Sequence, residues 1–377
     1  MRRRVVVTGI GLVSAAGEGL DRNLAALKAG APAPVATEPF SGYPVHPVVP
    51  LEWDRQIPKK SDQRQMEPWQ RLGCYAAGLA LDAAGLKDDA ALKSRTELIV
   101  AAGGGERDYA VDGQILTGLR EAASPGAYLN EHLLSDLRPT LFLAQLSNLA
   151  AGNIAIVHGI TGASRTFMGE EQSGVDALRI AEARIAAGQA DIMLVGSSYN
   201  AERPDVMLTY ELGGFYWSKP YRPVGDRSGE GGGFILGSAG AFLVLEAEEH
   251  ALERGVPVAA LLHPVATVRT RREPGSVSAA LDGLWTDLGC GSPGAVISGA
   301  TGVAPATHEE TEALDRLAPG VPRHGVGDMA GHAMEAQSLV GAALAAGLVA
   351  SGAARDAVVT SVGHRRGEGL VRLAAPG

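Results

Sequence analysis

The stretch TFMGEEQSGVDAL, residues 166–178, places two carboxylic acids where chemistry is often done. The residues that follow, RIAEARIAAGQADIMLVGSS, have the apolar spacing of a helix and then of a buried strand. A strand, a sharp turn and a helix form the setting in which many enzymes present a nucleophile at a helix N-terminus. Here the turn holds Glu170 and Glu171 where a thiol or a hydroxyl is expected. The turn is therefore either a working site with an unusual nucleophile or a site that has lost its chemistry.

Glu171 also has an explanation that needs no catalysis. A carboxylate at a helix N-terminus is stabilised by about 0.3–1 kcal/mol through the helix dipole and the free N–H groups. It can fill the mouth of a disused pocket and bond to a partner residue. A carboxylate nucleophile that forms an acyl anhydride is a third interpretation, but no other residue pattern supports it.

The two cysteines are weak alternatives as nucleophiles. Cys74 lies in the helical pattern MEPWQRLGCYAAGLALDAAGL and is expected to be a small buried residue. Cys290 lies in the glycine-rich stretch TDLGCGSPG and stays open as a nucleophile. Neither belongs to a CxxC motif, so we expect reduced thiols and a cytoplasmic protein. We expect no metal site and no bound cofactor.

Composition excludes several classes of function. The net charge of −9 is spread along the chain without a basic block, which disfavours nucleic-acid binding. No apolar run approaches 18 residues, so we expect no membrane span, and the run in MRRRVVVTGIGL is too short for a signal peptide. VVVTGIGLVS is not a dinucleotide fingerprint, because Ser14 replaces the third glycine and no acid ends a second strand.

Length and periodicity predict the architecture that positions the turn. The 377 residues, 46% hydrophobic with 50 glycines, are enough for one large or two fused domains. Strands and helices alternate throughout, which predicts an α/β protein with mostly parallel sheets. The rhythm restarts after Pro257, so we predict two similar halves, 1–250 and 251–377. In the first half we expect a helix over 66–86, a strand over 97–105, a helix over 140–158, a strand over 191–198 and a loop over 199–233. In the second half we expect a strand in AALLHPVATV, a helix in SVSAALDGLWTDLG, a strand in GAVISGATG, a helix in HAMEAQSLVGAALAAGLVASG and strands in AVVTSVGH and GLVRLAAP.

Several stretches together resemble one family. RRRVVVTGIGLVSAAGEGLDRNLAALKAG, SNLAAGNIAIVHGITGAS, SGVDALRIAEARIAAGQADIMLVGSS and GGGFILGSAGAFLVLE are similar to segments of the β-ketoacyl-ACP synthases of the thiolase superfamily. The resemblance is strongest over residues 1–250. It implies a thiolase-like fold, a duplicated five-layered α-β-α-β-α architecture.

The resemblance also implies a chemistry and the positions that should carry it. The family condenses acyl chains through a cysteine thioester at a helix N-terminus, with two histidines that stabilise the enolate and a lysine that supports one of them. Position by position, Glu171 replaces the cysteine, Ala300 replaces the first histidine and Gly327 replaces the lysine. The second histidine is retained as His332, which can equally serve to cap or pack the helix that follows.

Two further family features are replaced. The Phe-Gly-Phe-Gly-Gly gate is VGHRR here, residues 362–366, and the acid of the Gly-Glu-Gly-Ala-Gly strand is Ser238. The combined losses predict that the site carries no catalytic residue.

The resemblance therefore favours a non-catalytic, chain-length-factor-like subunit. Such a subunit pairs with a cysteine-bearing β-ketoacyl-ACP synthase in type II fatty acid or polyketide elongation and shapes its acyl tunnel. We expect the heterodimer axis beside ASRTFM, residues 163–168, and tunnel walls in 106–116 and 138–146. The partner would use the phosphopantetheine of an acyl carrier protein. The rival interpretation is a stand-alone malonyl-ACP decarboxylase, or another thiolase-fold acyl-transfer enzyme, that uses Glu171 and His332.

Overall fold

The computed structural model describes residues 2–40, 42–136, 143 and 145–377. Its strands are β1 Val5–Ser14, β2 Gly17–Glu18, β3 Val45–His46, β4 Glu97–Ala102, β5 Ser164–Met168, β6 Ile192–Tyr199, β7 Leu236–Gly237, β8 Ala239–Ala247, β9 Ala260–Leu262, β10 Ala266–Val268, β11 Ala295–Ser298, β12 Arg323–Gly325, β13 Asp356–Val362 and β14 Glu368–Ala374.

Several α-helices begin within the first 250 residues, and one of them follows the acidic turn. They are α1 Leu20–Ala29, α2 Lys60–Gln65, α3 Pro68–Ala83, α4 Ala90–Arg95, α5 Tyr109–Glu121, α6 Pro125–Ser135, α7 Asn148–His158, α8 Glu171–Ala186, α9 Pro204–Leu212, α10 Val224–Gly229 and α11 Glu248–Arg254. Those that follow are α12 Ser276–Asp287, α13 Ala306–Leu317, α14 Val326–Ala330 and α15 Gln337–Ala350. Three short 3-10 helices cover Glu38–Phe40, Trp53–Arg55 and Met334–Ala336.

The large sheet is mixed, so the expectation of mostly parallel strands is wrong. Its strands run in the order β12-β11-β13-β14-β9-β1-β8-β6-β4-β5. Parallel pairing is confined to the two flanks, where β4 pairs with β5 and β6, and β11 pairs with β12 and β13. The middle is antiparallel, because β8 returns beside β1 and β6, and β14 folds directly back on β13. The alternation of elements alone did not reveal these direct returns.

The helices stack on this sheet in layers. α3 and α7 cover one side of β1, β4, β6 and β8, while α12 and α13 cover the opposite end near β13 and β14. α8 and α15 lie between, since each contacts strands of both halves as well as the other helix. The result is the expected α-β-α-β-α order. The acidic turn lies at the start of one of the two central helices.

Local sequence explains the central elements. The residues of α15 from Gln337 to Val349 are buried on all faces of the helix, which is typical of a helix enclosed on both sides. α3 begins at Pro68 behind a capping box in which Glu67 and Gln70 bond each other's backbone N–H groups, and its exit passes Gly85 at φ +65°. The helix predicted over 66–86 and the strand predicted over 97–105 are confirmed with shortened ends, and the strand predicted over 191–198 is confirmed as Ile192–Tyr199.

Other predicted elements need correction. The segment 199–233, expected as a loop, holds α9 and α10. The strand expected in AALLHPVATV is two strands, β9 and β10, because Pro264 has no N–H to offer the ladder. α13 was not anticipated at all. The predicted helix over 140–158 is seen from Asn148, and residues 140–142 and 144 of that prediction lie outside the described residues.

Within the described part of the chain, every helix is too short or too polar to cross a lipid bilayer. The cytoplasmic location and the division into halves at residue 250 stay predictions.

Candidate functional site

Glu171 is the first residue of α8, and its side chain is buried rather than presented in an open turn. The residue is 2% exposed, and the preceding Glu170, at the N-cap position, is partly exposed. One of its carboxylate oxygens, Oε1, contacts the imidazoles of two histidines from the C-terminal third of the chain. The carboxylate at the nucleophile position is therefore already bonded within the protein.

The first of these histidines is His332, the residue that sequence comparison singled out. Its Nε2 lies 2.8 Å from Glu171 Oε1. Its backbone fixes that position, because its N–H donates to the Ile235 carbonyl at 2.7 Å and its carbonyl accepts from Gly237 N–H at 3.0 Å. His332 is thus held on the edge of β7, ahead of α15. Its side chain points to α8 and does not cap α15.

The second histidine, His364, lies in the VGHRR segment after β13. Its Nδ1 is 2.9 Å from Glu171 Oε1, and its Nε2 is 3.5 Å from Glu170 Oε1, an ion-pair distance without a hydrogen bond. Gly363 makes the approach possible, since a Cβ there would lie 3.3 Å from Glu171 Oε2 and would overlap the Arg366 carbonyl. His364 stands where the family gate has its second phenylalanine.

The charges of this cluster are set by mutual proximity. Burial alone would raise the pKa of Glu171, but His364 and His332 outweigh it and hold that pKa well below the usual range. Burial alone would lower the pKa of His364, but the two carboxylates, Glu171 first, raise it above its ordinary value. Because an ionised carboxylate only accepts hydrogen bonds, both imidazole nitrogens that face Glu171 carry protons. The cluster is a buried ion pair of Glu171 with His364, to which His332 adds one donor.

Aromatic rings close the space around the two imidazoles. The ring centroid of Phe234 lies 5.1 Å from His332 and 5.6 Å from His364, and those of Phe215 and Tyr210 lie 4.9 and 5.5 Å from His364. A cleft of about 590 Å³ lies beside the N-terminus of α8, but its lining includes Glu170 and Gln172 and not Glu171. Three arginines, Arg269, Arg365 and Arg366, also line this cleft. A substrate in it would meet the arginines and Glu170.

Ala300 and Gly327 lie beside each other. Ala300 follows β11 and its N–H donates to Ser298 Oγ at 3.1 Å. Gly327 is in α14, where a Cβ would lie 3.1 Å from the Ala300 carbonyl oxygen and from Val224. A lysine side chain at Gly327 would therefore need its surroundings to move. Neither position supplies a side-chain N–H for an oxyanion.

The other residues considered from the sequence have structural roles. Ser238 is fully buried and its Oγ accepts from Ala201 N–H at 3.0 Å. Cys74 is buried in α3 against Met66, and burial raises its thiol pKa far above the usual value. Burial raises the pKa of Cys290 to about 11, so almost none of it is thiolate at neutral pH.

One group has the composition of a metal site. Glu170, Glu171 and His364 each offer a ligand atom, and these atoms lie within 4.8 Å of one another. Carboxylate and imidazole are zinc ligands. Here, however, Glu171 already accepts from both imidazoles, so a metal ion would have to displace the His364 proton. The ionic contacts explain the group without a metal.

The sequence singled out Glu171 and His332, whose side chains the structure brings together, and gave no role to His364. The only signal was a histidine directly after a glycine in the segment that replaces the family gate. That segment was interpreted as a loss, whereas it supplies the counter-ion of Glu171.

A comparison with protein families identifies the fold's relatives. The family model for the beta-ketoacyl synthase N-terminal domain matches residues 2–251. The chain belongs to the beta-ketoacyl synthase family. This agrees with the resemblance seen in the sequence motifs.

Individual relatives agree at low identity. The 3-oxoacyl-[acyl-carrier-protein] synthase 2 of Vibrio cholerae is 26% identical over 270 residues, which cover 68% of this chain and 61% of that protein. Among solved structures, the ishigamide ketosynthase/chain length factor is 21% identical, with a TM-score of 0.81 and full coverage of both chains. A type II polyketide ketosynthase, AntDE, solved in complex with the acyl-carrier protein AntF, is 18% identical with a TM-score of 0.78 and full coverage of both chains. These likenesses establish a thiolase-like fold.

Proposed function

We propose that this chain is a non-catalytic, chain-length-factor-like subunit that pairs with a cysteine-bearing β-ketoacyl-ACP synthase. The observation that carries the proposal is the Glu171 carboxylate, bonded by His332 and His364 at the position of the family's nucleophile. An ionised carboxylate buried against an imidazolium is a poor nucleophile. The N–H donor that His332 would offer an enolate is occupied as well.

The arrangement argues against the decarboxylase alternative for the same reason. Removing one oxyanion donor costs an acyl-transfer enzyme about 10²–10³ in rate. In this chain one donor position is Ala300, and the other, His332, donates to Glu171.

The edge of the sheet supports the pairing. β5 pairs only with β4 and lies at the end of the strand order. Beside it, Met168 on β5 is 72% exposed, and Ile156 on α7, which packs on β5, is 76% exposed. An open strand edge with neighbouring exposed apolar side chains is a surface suited to another subunit. We propose that a synthase of the same fold covers this edge and that an acyl carrier protein serves the pair. The ishigamide structure is named as a ketosynthase/chain length factor, and the AntDE structure is named as a ketosynthase in complex with its acyl-carrier protein.

The experiment is co-expression with a cysteine-bearing β-ketoacyl-ACP synthase from the same genome. We expect a mixed dimer on size-exclusion chromatography with mass determination. Ile156→Glu and Met168→Glu should each weaken the dimer by tenfold or more. Leu252→Glu is the matched control, because Leu252 is 68% exposed on α11, away from β5, and should leave pairing unchanged.

Two outcomes would overturn the proposal. One is a homodimer of this chain that ignores the synthase. The other is release of CO2 from malonyl-ACP by the purified chain alone, lost in Glu171→Ala, which would establish the decarboxylase.

A further inference from the structure

The cleft beside the N-terminus of α8 carries positive charge that the described residues do not neutralise. Arg269, Arg365 and Arg366 line it, and each of these residues is exposed. Within the described part of the chain, no carboxylate pairs with any of the three guanidinium groups, and none of the groups donates a hydrogen bond. The Arg365 guanidinium lies over the Phe215 ring, 5.1 Å from its centroid, a contact that leaves its N–H groups free to donate. Three unpaired arginines at one cleft are unusual in a chain whose net charge is −9.

The two acidic residues that line the same cleft have other partners. Asp176 Oδ1 accepts from Arg179 Nε and from Thr267 Oγ1, each at 3.1 Å. Glu170 Oε1 lies 3.5 Å from Nε2 of His364. Each acid therefore faces a cationic side chain from outside the arginine group. The cleft keeps an excess of positive charge.

The three arginines come from two segments that are tied to each other. Arg269 follows β10, and the other two lie in the turn between β13 and β14. Arg272 joins these segments, because its guanidinium donates to the Gly363 carbonyl and to the Glu368 carboxylate. Loops that are already held in place lose less conformational freedom when a ligand binds. The arginines are thus positioned for an anionic ligand before it arrives.

The cleft is continuous with the open edge of the large sheet. Phe167 and Met168, the last two residues of β5, form part of its lining. A subunit that covers the β5 edge therefore also covers this cleft. Its volume of about 590 Å³ lies in the range of about 300–1,000 Å³ that is typical of sites for ligands much larger than one oxyanion. A peptide segment with several acidic side chains fits this space and charge better than a single small anion.

We propose that an acidic segment of the paired synthase docks in this cleft, where its Asp or Glu carboxylates accept hydrogen bonds from Arg269, Arg365 and Arg366. The inference rests on the proposed pairing, because the segment belongs to the subunit that covers β5. Arginine and carboxylate groups form strong, charge-assisted pairs with defined geometry. Complementary charge of this kind selects the correct partner and speeds association.

The same charges disfavour a second copy of this chain as the partner. In a two-fold homodimer through β5, both copies bring the same surface to the interface. The arginines of both clefts would then meet without acidic partners, and like charges at an interface oppose association. The cleft therefore favours a mixed dimer over a homodimer.

The test measures the dissociation constant of the mixed dimer by analytical ultracentrifugation of the two full-length chains, one of them fluorescently labelled. The variant combines Arg269→Gln, Arg365→Gln and Arg366→Gln. At about 0.05 M NaCl this variant should bind the synthase about tenfold or more weakly than the natural chain does. Raising the salt to about 0.5 M should weaken pairing of the natural chain much more than pairing of the variant, because salt screens the arginine–carboxylate contacts.

The matched control removes the same number of charges from exposed positions away from β5. It combines Arg22→Gln, Lys28→Gln and Arg355→Gln. The first two lie on α1, which packs on β1 and α15, and Arg355 precedes β13 in the other half of the sheet. This control has the same net charge as the cleft variant, and its pairing should stay within twofold of that of the natural chain.

A third variant identifies the docked segment directly. Replacing the three cleft arginines by lysine keeps the charge and supplies amines, which a carbodiimide joins to carboxylates in contact with them. We expect cross-linked peptides that join residues 269, 365 or 366 to Asp or Glu residues of the synthase. Neutralising those synthase residues should weaken pairing with the natural chain about tenfold and should add little to the effect of the cleft variant.

The outcomes separate this inference from the proposed function. If the mixed dimer forms but the cleft variant pairs within twofold of the natural chain, or no more weakly than the control, only the docking inference is overturned. Cross-links to a second copy of this chain, or loss of carrier-protein binding with unchanged pairing, would likewise assign the cleft to another occupant and overturn it. If the natural chain forms no mixed dimer, the proposed function and the inference both fail.

Discussion

Glu171 and Glu335 are two buried glutamates packed against the same helix, and their pKa values are shifted in opposite directions. Glu171 opens α8, while the backbone carbonyl of Glu335 lies so close to Gly174 of α8 that a Cβ there would overlap it. Glu171 has two imidazoles beside it and its pKa is lowered. Glu335 has no imidazole beside it. Burial, together with the negative charge of Glu171, raises its pKa to about 8. Burial is common to both, so the partners decide the charge.

The comparison also separates two environments beside the same helix. At Glu171 the carboxylate accepts hydrogen bonds from two imidazoles and is not part of the lining of the neighbouring cleft. At Glu335 the carboxyl lines a cavity together with Arg203, whose guanidinium is paired with Asp205. The first arrangement supports the proposal that Glu171 is not a nucleophile.

The largest expected effect comes from removing the imidazolium. His364→Ala leaves the Glu171 carboxylate buried with its counter-ion gone, which should lower the free energy of unfolding by about 3–5 kcal/mol. Urea denaturation at pH 7 measures this. The double variant Glu171→Gln/His364→Ala should recover a large part of the loss, because no charge is left unpaired. Equal losses in the single and double variants would show that packing, and not charge, is responsible.

The next effect is the alkaline loss of stability caused by Glu335. Its folded pKa, about 8, lies above the ordinary value of 4.5, so the folded state binds the proton more tightly. The contribution of this proton to the free energy of unfolding is complete below pH 4.5 and is lost as the pH rises through 8. The free energy of unfolding falls by at most about 1.4 kcal/mol per pH unit from this group. His364, whose pKa is also raised, adds a loss of the same sign above pH 6.5. A plot of the free energy of unfolding against pH, from pH 5 to 9, should be distinctly flatter for Glu335→Gln than for the natural protein. Parallel plots would refute the assignment.

Glu171 should have the opposite pH dependence. Its folded pKa is lowered, so its contribution is present above about pH 4.5 and is lost as the pH falls through the folded value. We expect the natural protein to lose ~1–3 kcal/mol from this group between pH 4.5 and 2. Glu171→Gln should lack that component when Tm is followed by calorimetry. If the Tm of Glu171→Gln falls with decreasing pH as steeply as that of the natural protein, Glu171 is not ionised in the folded protein.

The smallest effect is expected at a third buried glutamate, which serves as a control. Glu310 is 1% exposed, and its Oε1 accepts from Ser298 Oγ at 2.8 Å and Thr360 Oγ1 at 2.6 Å. Burial raises its pKa, so a neutral amide mimics it well. Glu310→Gln should change the unfolding free energy by less than about 1 kcal/mol. A loss as large as that of His364→Ala would show that any change at a buried glutamate is damaging.

Much of the scaffold could be predicted from the sequence because its signals are local. Apolar spacing located α3, α8 and α15, and β-branched runs located β1, β6 and β13. Pairing direction was not predictable, since β8 and β14 return antiparallel through tertiary contacts that periodicity does not encode. The short helices α9 and α10 were missed because their glycine- and proline-rich surroundings are typical of loops.

The candidate site shows the same division. Glu171 and His332 were found because each stands in a recognisable motif. His364 was not, since its role depends on the fold bringing the end of β13 to the start of α8, 193 residues away in the sequence. The surroundings of Glu335 were equally unpredictable, because only the three-dimensional structure shows that the nearby Arg203 pairs with Asp205.

The most direct test of the account is a condensation assay on the co-purified pair of this chain and its cysteine-bearing synthase. Malonyl-ACP and an acyl-ACP primer are supplied, and product is measured by mass spectrometry. We predict that replacing the partner's nucleophilic cysteine by alanine abolishes product. Glu171→Gln in this chain, with an intact mixed dimer verified by chromatography, should leave the rate within about twofold. Loss of product with Glu171→Gln while the dimer persists would contradict the account, because it would give Glu171 a catalytic role.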